Sequence, residues 1–211
     1  MAISTATKRW LDEAGFKHFC FISYPHGGGP LTDFARRISV DIEAELRTRV
    51  TGAKVFFDSD DIPPGATWPE SLRKGLCTSV AMVAVLAPIY LEEVHEWCGR
   101  EWAAMASLGQ RRLPDDEIQP IIPVFFRQTE LPRSAGVRQP IDLSRVSLKG
   151  RRYYSTEEFR GAVLRIVDQI IEIACRIHEK QILAEVEAFE MPVYSAFVQA
   201  PPPNPPLRIA V

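Results

Sequence analysis

The chain has 211 residues, of which 46% are hydrophobic and 25% are charged, and its formal net charge is -2. This length accommodates one domain of ordinary size with an appendage, and the hydrophobic content excludes a wholly disordered protein. The nearly balanced charge, with no run of Lys or Arg longer than a pair, gives no indication of a nucleic-acid-binding surface.

The first third of the chain begins an alternation of strand and helix signals. A helical lead-in is predicted over residues 8–14, and a run rich in β-formers predicts the first strand over residues 18–24. The glycines and prolines of residues 25–30 end this strand. The next helix is predicted over residues 32–50, because Thr32 is a favourable N-cap and apolar residues follow at steps of four.

The second strand and the segments after it repeat this pattern. A strand is predicted over residues 53–57, and three acids, two prolines and a glycine predict a loop over residues 58–65. A helix over residues 67–77 should follow, because Thr67 and Glu70 have the spacing of a capping box.

The third strand, residues 80–86, precedes the stretch with the clearest chemical potential. Pro88 ends the strand, and a helix to about residue 108 then places Trp97 and Glu101 four residues apart on one face. The indole can stack on a flat, cationic heterocycle, and the carboxylate can stabilise positive charge or direct a hydroxyl group. The alternative interpretation is that Trp97 is a core residue and Glu101 a solvated helix charge.

The last elements complete an α/β pattern. A fourth strand is predicted over residues 119–126, in which Pro123 would suit an edge or strand-end position, and a short fifth strand over residues 141–143. Ser155 or Thr156 should begin a final helix with a wide apolar face. Repeated alternation of strands and helices predicts a parallel sheet that is covered on both faces.

The chain changes character near its C-terminus. Residues 201–206 are almost all proline and predict an extended linker, and residues 207–211 look like the beginning of a strand. The tail is therefore interpreted either as a linker to a further domain or as an extended end. We divide the chain into a lead-in (1–16), a main domain (17–190) and a proline-rich linker (191–211).

Several other functional classes find no support in the residue pattern. Ser23 lacks the context of a hydrolase nucleophile, and His18 and His95 have no partners at ligand or triad spacing. The scattered cysteines form no CxxC pair and favour a reducing compartment. No apolar run has the length of a signal peptide core or a transmembrane helix, so we expect a soluble, cytoplasmic protein. The spacing of the cysteines and histidines predicts no metal site. The cysteines are Cys20, Cys77, Cys98 and Cys175.

Three blocks of the sequence, in this order, resemble those of a TIR (Toll/interleukin-1 receptor) domain. Residues 21–24 (FISY) resemble the first-strand box, and residues 55–65 resemble the second strand with the following BB loop. Residues 87–90 (APIY) and 97–101 (WCGRE) resemble the family's S-P-x-Y and W-C-x-x-E block. The resemblance covers residues 17–178, and the run CGREW at residues 98–102 resembles bacterial rather than animal members.

This resemblance implies a flavodoxin-like three-layer sandwich with a central parallel sheet of about five strands. In the enzymatic members, the glutamate of the last block is essential for cleavage of the nicotinamide–ribose bond of NAD, and Glu101 falls on that position. Trp97 falls on the aromatic position four residues earlier, and Ser23 and Tyr24 fall on the floor of the pocket. Asp58 is expected beside Tyr24, because ligands of open α/β sheets bind at the carboxyl ends of the strands.

The sequence departs from the family pattern at two places. Many NAD-cleaving members have a basic residue just after the first-strand box, where this chain has Pro25 and His26; His26 or Arg36 could substitute. Asp60 replaces the usual arginine of the BB loop, which makes this loop acidic.

The resemblance and the residues together lead to one hypothesis with two rivals. We expect an NAD+ glycohydrolase with NAD+ as substrate and no cofactor, with cyclisation of the ADP-ribose as a second outcome. The family alone implies assembly through residues 58–65 and control by a regulatory domain or partner. It also implies a role in bacterial defence. The rivals are a non-enzymatic scaffold for protein–protein interaction and a nucleotide-binding sensor without turnover.

Overall fold

The computed structural model describes most of the chain up to Val193. The described residues are 3–58, 67–114, 116, 118–132, 139–146 and 150–193. The predicted linker at 201–206, the strand at 207–211 and most of the loop at 58–65 lie outside them.

Five parallel strands form one sheet in the described part of the chain, as the sequence predicts. The strands lie in the order β2-β1-β3-β4-β5, so the third strand of the chain occupies the centre. Parallel pairing places Phe21 of the first strand beside Met82 of the third, and Val83 of the third beside Ile122 of the fourth. The strands are β1 (His18–Ser23), β2 (Val55–Phe56), β3 (Ser79–Leu86), β4 (Ile121–Phe125) and β5 (Ile141–Asp142).

Helices cover both faces of this sheet and complete a three-layer α/β sandwich. The α-helices are α1 (Thr5–Glu13), α2 (Gly29–Arg49), α3 (Trp68–Cys77), α4 (Glu96–Arg112) and α5 (Glu157–Glu179). Short 3-10 helices occupy Pro88–Leu91, Glu93–His95 and Gly150–Ser155. Buried residues of α1, α2 and α5 share one apolar cluster, and those of α3 and α4 share another. Among the described helices, none combines the length and hydrophobicity needed to cross a bilayer.

The central strand β3 contributes side chains to both clusters. All eight of its residues are buried, which explains why its sequence shows no polar alternation. Val83 and Val85 pack towards α2 and α5, whereas Met82 and Leu86 pack towards α3 and α4. Each such side chain contributes about 1.5–3 kcal/mol on burial, so β3 is the framework on which the adjacent loops are positioned.

Helix α2 begins three residues earlier than the sequence predicts. Its N-cap is Gly28, which adopts a positive φ of 74°, and Pro30 lies in the first turn. Proline suits this place because its fixed φ is helical and no N–H donor is required there. The prediction that Thr32 caps this helix is therefore wrong.

Helix α3 begins where predicted but not by the predicted capping box. Thr67 is the N-cap, yet its side chain accepts no capping hydrogen bond. The Glu70 carboxylate lies instead 2.7 Å from Arg73 and 3.3 Å from Lys74, both on the same helix. These ion pairs compete with the capping-box hydrogen bond, in which the Glu70 carboxylate would accept from the backbone N–H of Thr67. The predicted capping box is therefore wrong.

Pro123 lies inside the sheet rather than on an edge strand. The C=O of Pro120 and the N–H of Phe126 both bond to β3, and strand alternation therefore turns Pro123 towards β5. Described β5 residues pair only with Val124 and Phe125, so the missing N–H of Pro123 falls just before this pairing begins.

A C-terminal strap, residues 182–193, crosses from α5 to the α3/α4 face of the sandwich. Phe189 is only 5% exposed and packs in the same cluster as α3 and α4. The polar contacts of the strap include Ala184 N–H to Ala14 C=O (2.9 Å), Glu185 to Arg111 (2.8 Å), Arg73 to the C=O groups of Val186 and of Phe189 (3.0 Å for Phe189) and Arg100 to Pro192 C=O (3.0 Å).

Candidate functional site

The carboxyl ends of the central strands bring most of the predicted site residues together. Ser23 ends β1 and pairs in register with Ala84 of β3. Two 3-10 turns follow β3 and lead into α4, whose first two turns carry Trp97 and Glu101. This edge is where open α/β sheets bind ligands.

The Glu101 carboxyl group is buried against the end of β1. It is 5% exposed, and the Ser23 hydroxyl donates to its Oε2 atom at 2.6 Å. The Tyr90 hydroxyl lies 2.7 Å from the same Ser23 oxygen and 3.4 Å from the C=O of Cys98. Glu101 is therefore a buried, hydrogen-bonded acid and not a solvated helix charge.

Burial changes the acidity of this carboxyl group. Desolvation is the main cause that raises the pKa of Glu101 to about 8, and the nearby negative charge of Asp58 acts in the same direction. The hydrogen bond from Ser23 and the charge of His26 partly oppose this shift. Glu101 consequently holds a proton at neutral pH and can ionise when positive charge approaches, which suits acid–base or electrostatic chemistry.

Tyr24, His26 and Asp58 form a second polar group at the same edge. Asp58 is buried just after β2, and it accepts a hydrogen bond from the Tyr24 hydroxyl at 3.2 Å. His26 Nε2 lies 2.5 Å from the other Asp58 oxygen. This hydrogen bond is the main cause that raises the pKa of His26, so the imidazole–carboxylate pair is favoured in its charged form.

An aromatic stack surrounds this second group. The Tyr24 ring stacks on His26 at 4.7 Å between centroids and on Phe57 at 5.1 Å, with interplanar angles of 12° and 4°. The Arg36 guanidinium lies 4.9 Å from the Phe57 centroid. His26 and Arg36 thus lie at opposite ends of one stack. They are the two residues that could substitute for the basic residue that many NAD-cleaving members have after the first-strand box.

Trp97 is half-buried in the first turn of α4. The guanidinium of Arg100 lies 4.0 Å from its ring centroid, and Arg100 Nε also donates to the Pro192 C=O of the C-terminal strap. The indole therefore stacks on a cation of the protein itself. Its stacking on a flat, cationic heterocycle stays a prediction.

Five of the six predicted residues thus fall into two neighbouring groups that influence each other electrostatically, whereas Trp97 contacts Arg100 outside both groups. Glu101 bonds to Ser23, Tyr24 and His26 contact Asp58, and both Asp58 and His26 affect the pKa of Glu101. The sequence identifies Tyr90 only as part of the APIY block, although a tyrosine shortly after a buried strand needs a partner for its hydroxyl. Within the described ranges, no three His, Cys, Asp or Glu side chains could hold a metal ion.

The architecture and the place of the buried acid define a flavodoxin-like α/β protein with a candidate site at the carboxyl edge of its sheet. A family model described as "TIR domain" matches residues 20–156, well over half of the chain. The chain therefore belongs to the TIR domain family. No curated protein in the comparison matches it.

Proposed function

We propose that this TIR domain is an NAD+ glycohydrolase that cleaves the bond between nicotinamide and ribose. When nicotinamide departs with the bonding electrons, the ribose becomes oxocarbenium-like and carries positive charge until water adds to it and gives up a proton. The Glu101 carboxylate stabilises that charge and orients the ribose hydroxyl groups. NAD+ is the substrate, and the proposed reaction needs no further cofactor.

The observation that carries this proposal is the burial of Glu101 at the carboxyl edge of the sheet. An acid with its pKa raised to about 8 is costly for folding, and such groups concentrate at functional sites. The nicotinamide ring of NAD+ is itself cationic, so its arrival favours the ionised carboxyl group. The carboxylate is thus formed at the moment when positive charge is present.

The other residues receive roles that follow from their chemistry. Trp97 forms an aromatic wall, because its ring accepts a flat cation such as Arg100 or a pyridinium. Ser23 directs the Glu101 carboxyl group, and Tyr24 with Asp58 lines the neighbouring part of the pocket. We assign His26 to the diphosphate of NAD+, because its charged form is favoured and it lies on the Tyr24 ring; Arg36, at the opposite end of the stack, is the alternative basic residue.

Assembly and biological role belong to the same proposal. TIR domains commonly associate with one another, and the loop at residues 58–65 is the segment proposed for homo-oligomer contacts here. We also propose a cytoplasmic effector in bacterial antiviral defence, activated by assembly and controlled by a further domain or partner. Return of the ribose cation to an adenine nitrogen would give a cyclic product instead of hydrolysis.

A non-enzymatic TIR scaffold is the second candidate. A protonated Glu101 that bonds to Ser23 also ties α4 to β1, which is a role in fold support. Arg100 covers one face of Trp97, and no basic residue directly follows Tyr24. In this case the domain would bind other TIR domains through its loops and helices without turnover.

Nicotinamide release separates these two functions. Concentrated protein, alone and fused to an oligomerising partner, is incubated with NAD+, and nicotinamide is measured by chromatography. Glu101→Gln should reduce release by about 10²-fold or more, since removal of a positioned charge-stabilising group commonly costs this much. The matched control is Glu96→Gln, an exposed acid in the first turn of the same helix, which should retain activity. If Glu101→Gln releases as much nicotinamide as the wild type, the proposal is contradicted. If the wild type releases none, either concentrated or as the oligomerising fusion, the scaffold is favoured.

A further inference from the structure

The buried hydrogen-bond chain at the end of β1 contains one more residue than the proposed reaction uses. Tyr90 lies in the 3-10 turn after β3, and its hydroxyl contacts Ser23, which in turn contacts Glu101. Tyr90 is 1% exposed, so no bulk solvent competes for these hydrogen bonds.

The number of protons shared by Tyr90, Ser23 and Glu101 determines which group donates in each hydrogen bond. A serine hydroxyl has one proton to donate, and an ionised carboxylate can only accept. When Glu101 is ionised, the single proton of Ser23 must therefore point to Oε2, 2.6 Å away. The Tyr90 hydroxyl, 2.7 Å from the same oxygen, must then be the donor to Ser23.

When Glu101 is protonated, the same hydrogen bonds can all form with their donors and acceptors reversed. With the proton on Oε2, the carboxyl group donates to Ser23 and Ser23 donates to Tyr90. Tyr90 then turns its proton to the Cys98 C=O, which lies 3.4 Å from its oxygen. Burial raises the pKa of the Tyr90 hydroxyl well above its ordinary value, so Tyr90 keeps its own proton in both arrangements.

We propose that Tyr90 is a positioning residue for the NAD+ cleavage proposed above: it donates to Ser23, compels Ser23 to donate to Glu101, and so favours the ionised carboxylate. The longer bond to Cys98 is weaker than the one to Ser23, so the Tyr90 hydroxyl favours the arrangement of the ionised state and partly opposes the burial that raises the Glu101 pKa. Tyr90 acts through Ser23 and does not itself contact the reacting atoms.

Other ionisable groups also act on Glu101, and the test must leave them unchanged. Asp58 after β2 and His26 after β1 influence its pKa. Burial raises the pKa of Tyr24 and of Cys98, and the charge of Glu101 adds to both shifts. Tyr90→Phe removes only the hydroxyl group, with its contacts to Ser23 and to the Cys98 C=O, and leaves the side chains of these four residues in place. It also retains the ring that packs edge-on against Trp102, at 6.4 Å between centroids.

Direct titration of the Glu101 carboxyl group tests the proposal independently of catalysis. The protein is labelled with ¹³C at the glutamate carboxyl carbon, and the Glu101 signal is the one that Glu101→Gln removes. Tyr90→Phe should raise the Glu101 pKa by about one unit, since loss of a charge-stabilising hydrogen bond has roughly this effect. The matched control is Tyr153→Phe, which should leave this pKa unchanged because Tyr153 packs against Phe34 and Phe159. Melting curves verify that both variants are folded.

A double-mutant cycle then tests whether Tyr90 acts through Ser23. Ser23→Ala should raise the pKa at least as much as Tyr90→Phe, and the double variant should match Ser23→Ala alone. An unchanged pKa in Tyr90→Phe, or effects that simply add, overturns the proposal. If the protein cleaves NAD+, the pH profile of kcat/KM should shift with the titration. If it does not, the proposed function fails, while the titration still decides the role of Tyr90.

Discussion

Ser23 Oγ lies 2.6 Å from Glu101 Oε2, although 78 residues separate the two in sequence. The contact joins the end of β1 to the second turn of α4 across the carboxyl edge of the sheet. Because Ser23 pairs in register with Ala84 of β3, the sheet itself fixes the serine that directs the acid. The candidate site is therefore preorganised by strand pairing, which is a favourable basis for catalysis.

The first prediction concerns stability and pH. Burial raises the pKa of folded Glu101 from the ordinary value of 4.5 to about 8, so the unfolded chain releases this proton at lower pH than the folded protein. The folded state should therefore lose stability as pH rises from 4.5 to about 8, and Glu101→Gln should not suffer this loss.

The expected difference is a few kcal/mol, because each unit of pKa shift corresponds to about 1.4 kcal/mol. Urea unfolding of wild type and Glu101→Gln at pH 5 and pH 8 measures it. A difference between the two proteins that is the same at both pH values would contradict the buried, protonated acid.

Trp97 provides a prediction about substrate binding. Trp97→Ala should raise KM for NAD+ by about tenfold, because a stacking contact with a cation is worth about 1–2 kcal/mol when desolvated. Trp97→Phe should restore much of this loss, since it retains an aromatic face. Steady-state kinetics of these variants measure the effect. The control is Trp10→Phe, because Trp10 is also a half-buried indole but lies on α1. An unchanged KM in Trp97→Ala would exclude the proposed contact.

Two helical glycines should respond to the same substitution with opposite sign. A Cβ atom at Gly109 would lie 2.7 Å from the Pro120 ring, so Gly109→Ala should destabilise the fold by about 1–3 kcal/mol. A Cβ at Gly161 would meet only Arg165, at 3.7 Å, so Gly161→Ala should stabilise by up to about 1 kcal/mol. Urea unfolding measures both effects, and the same sign for the two variants would refute the packing of α4 against the start of β4.

The C-terminal strap yields a stability prediction of its own. Phe189→Ala should destabilise the domain by about 3 kcal/mol, because the ring is 5% exposed among the residues of α3 and α4. Val193→Ala, at a residue that is 63% exposed, should change the free energy of unfolding by less than about 0.5 kcal/mol. Chemical denaturation of both variants is the measurement. Similar small effects would mean that the strap does not belong to the cooperative unit.

The sequence predicts the architecture well because the folding signal is hydrophobic periodicity. All eight residues of β3 are buried, and the wide apolar face of α5 lies against the sheet, as their patterns indicate. Thr156 does cap α5 through a bond from the Phe159 N–H at 3.3 Å. The start of α2 and the capping of α3 are less predictable, because Pro30 and the ion pairs of Glu70 compete with the local capping signals.

The site is only partly predictable from residue types. Spacing identifies Trp97 and Glu101, and the family resemblance adds Ser23, but nothing in the sequence specifies that Glu101 is buried or that Tyr90 completes its hydrogen-bond chain. The strap was missed for a different reason. Its contacts are mostly made by backbone C=O groups, such as that of Pro192, which every residue possesses.

We propose that Glu101 acts mainly in bond cleavage and contributes little to the affinity for NAD+. The most direct test measures the Kd for NAD+ and the kcat for nicotinamide release together, in wild type and in Glu101→Gln. We expect kcat to fall by about 10²-fold or more while Kd changes by less than about tenfold, because the carboxylate stabilises charge that develops only as the bond breaks. An unchanged kcat in a folded Glu101→Gln variant would contradict the account.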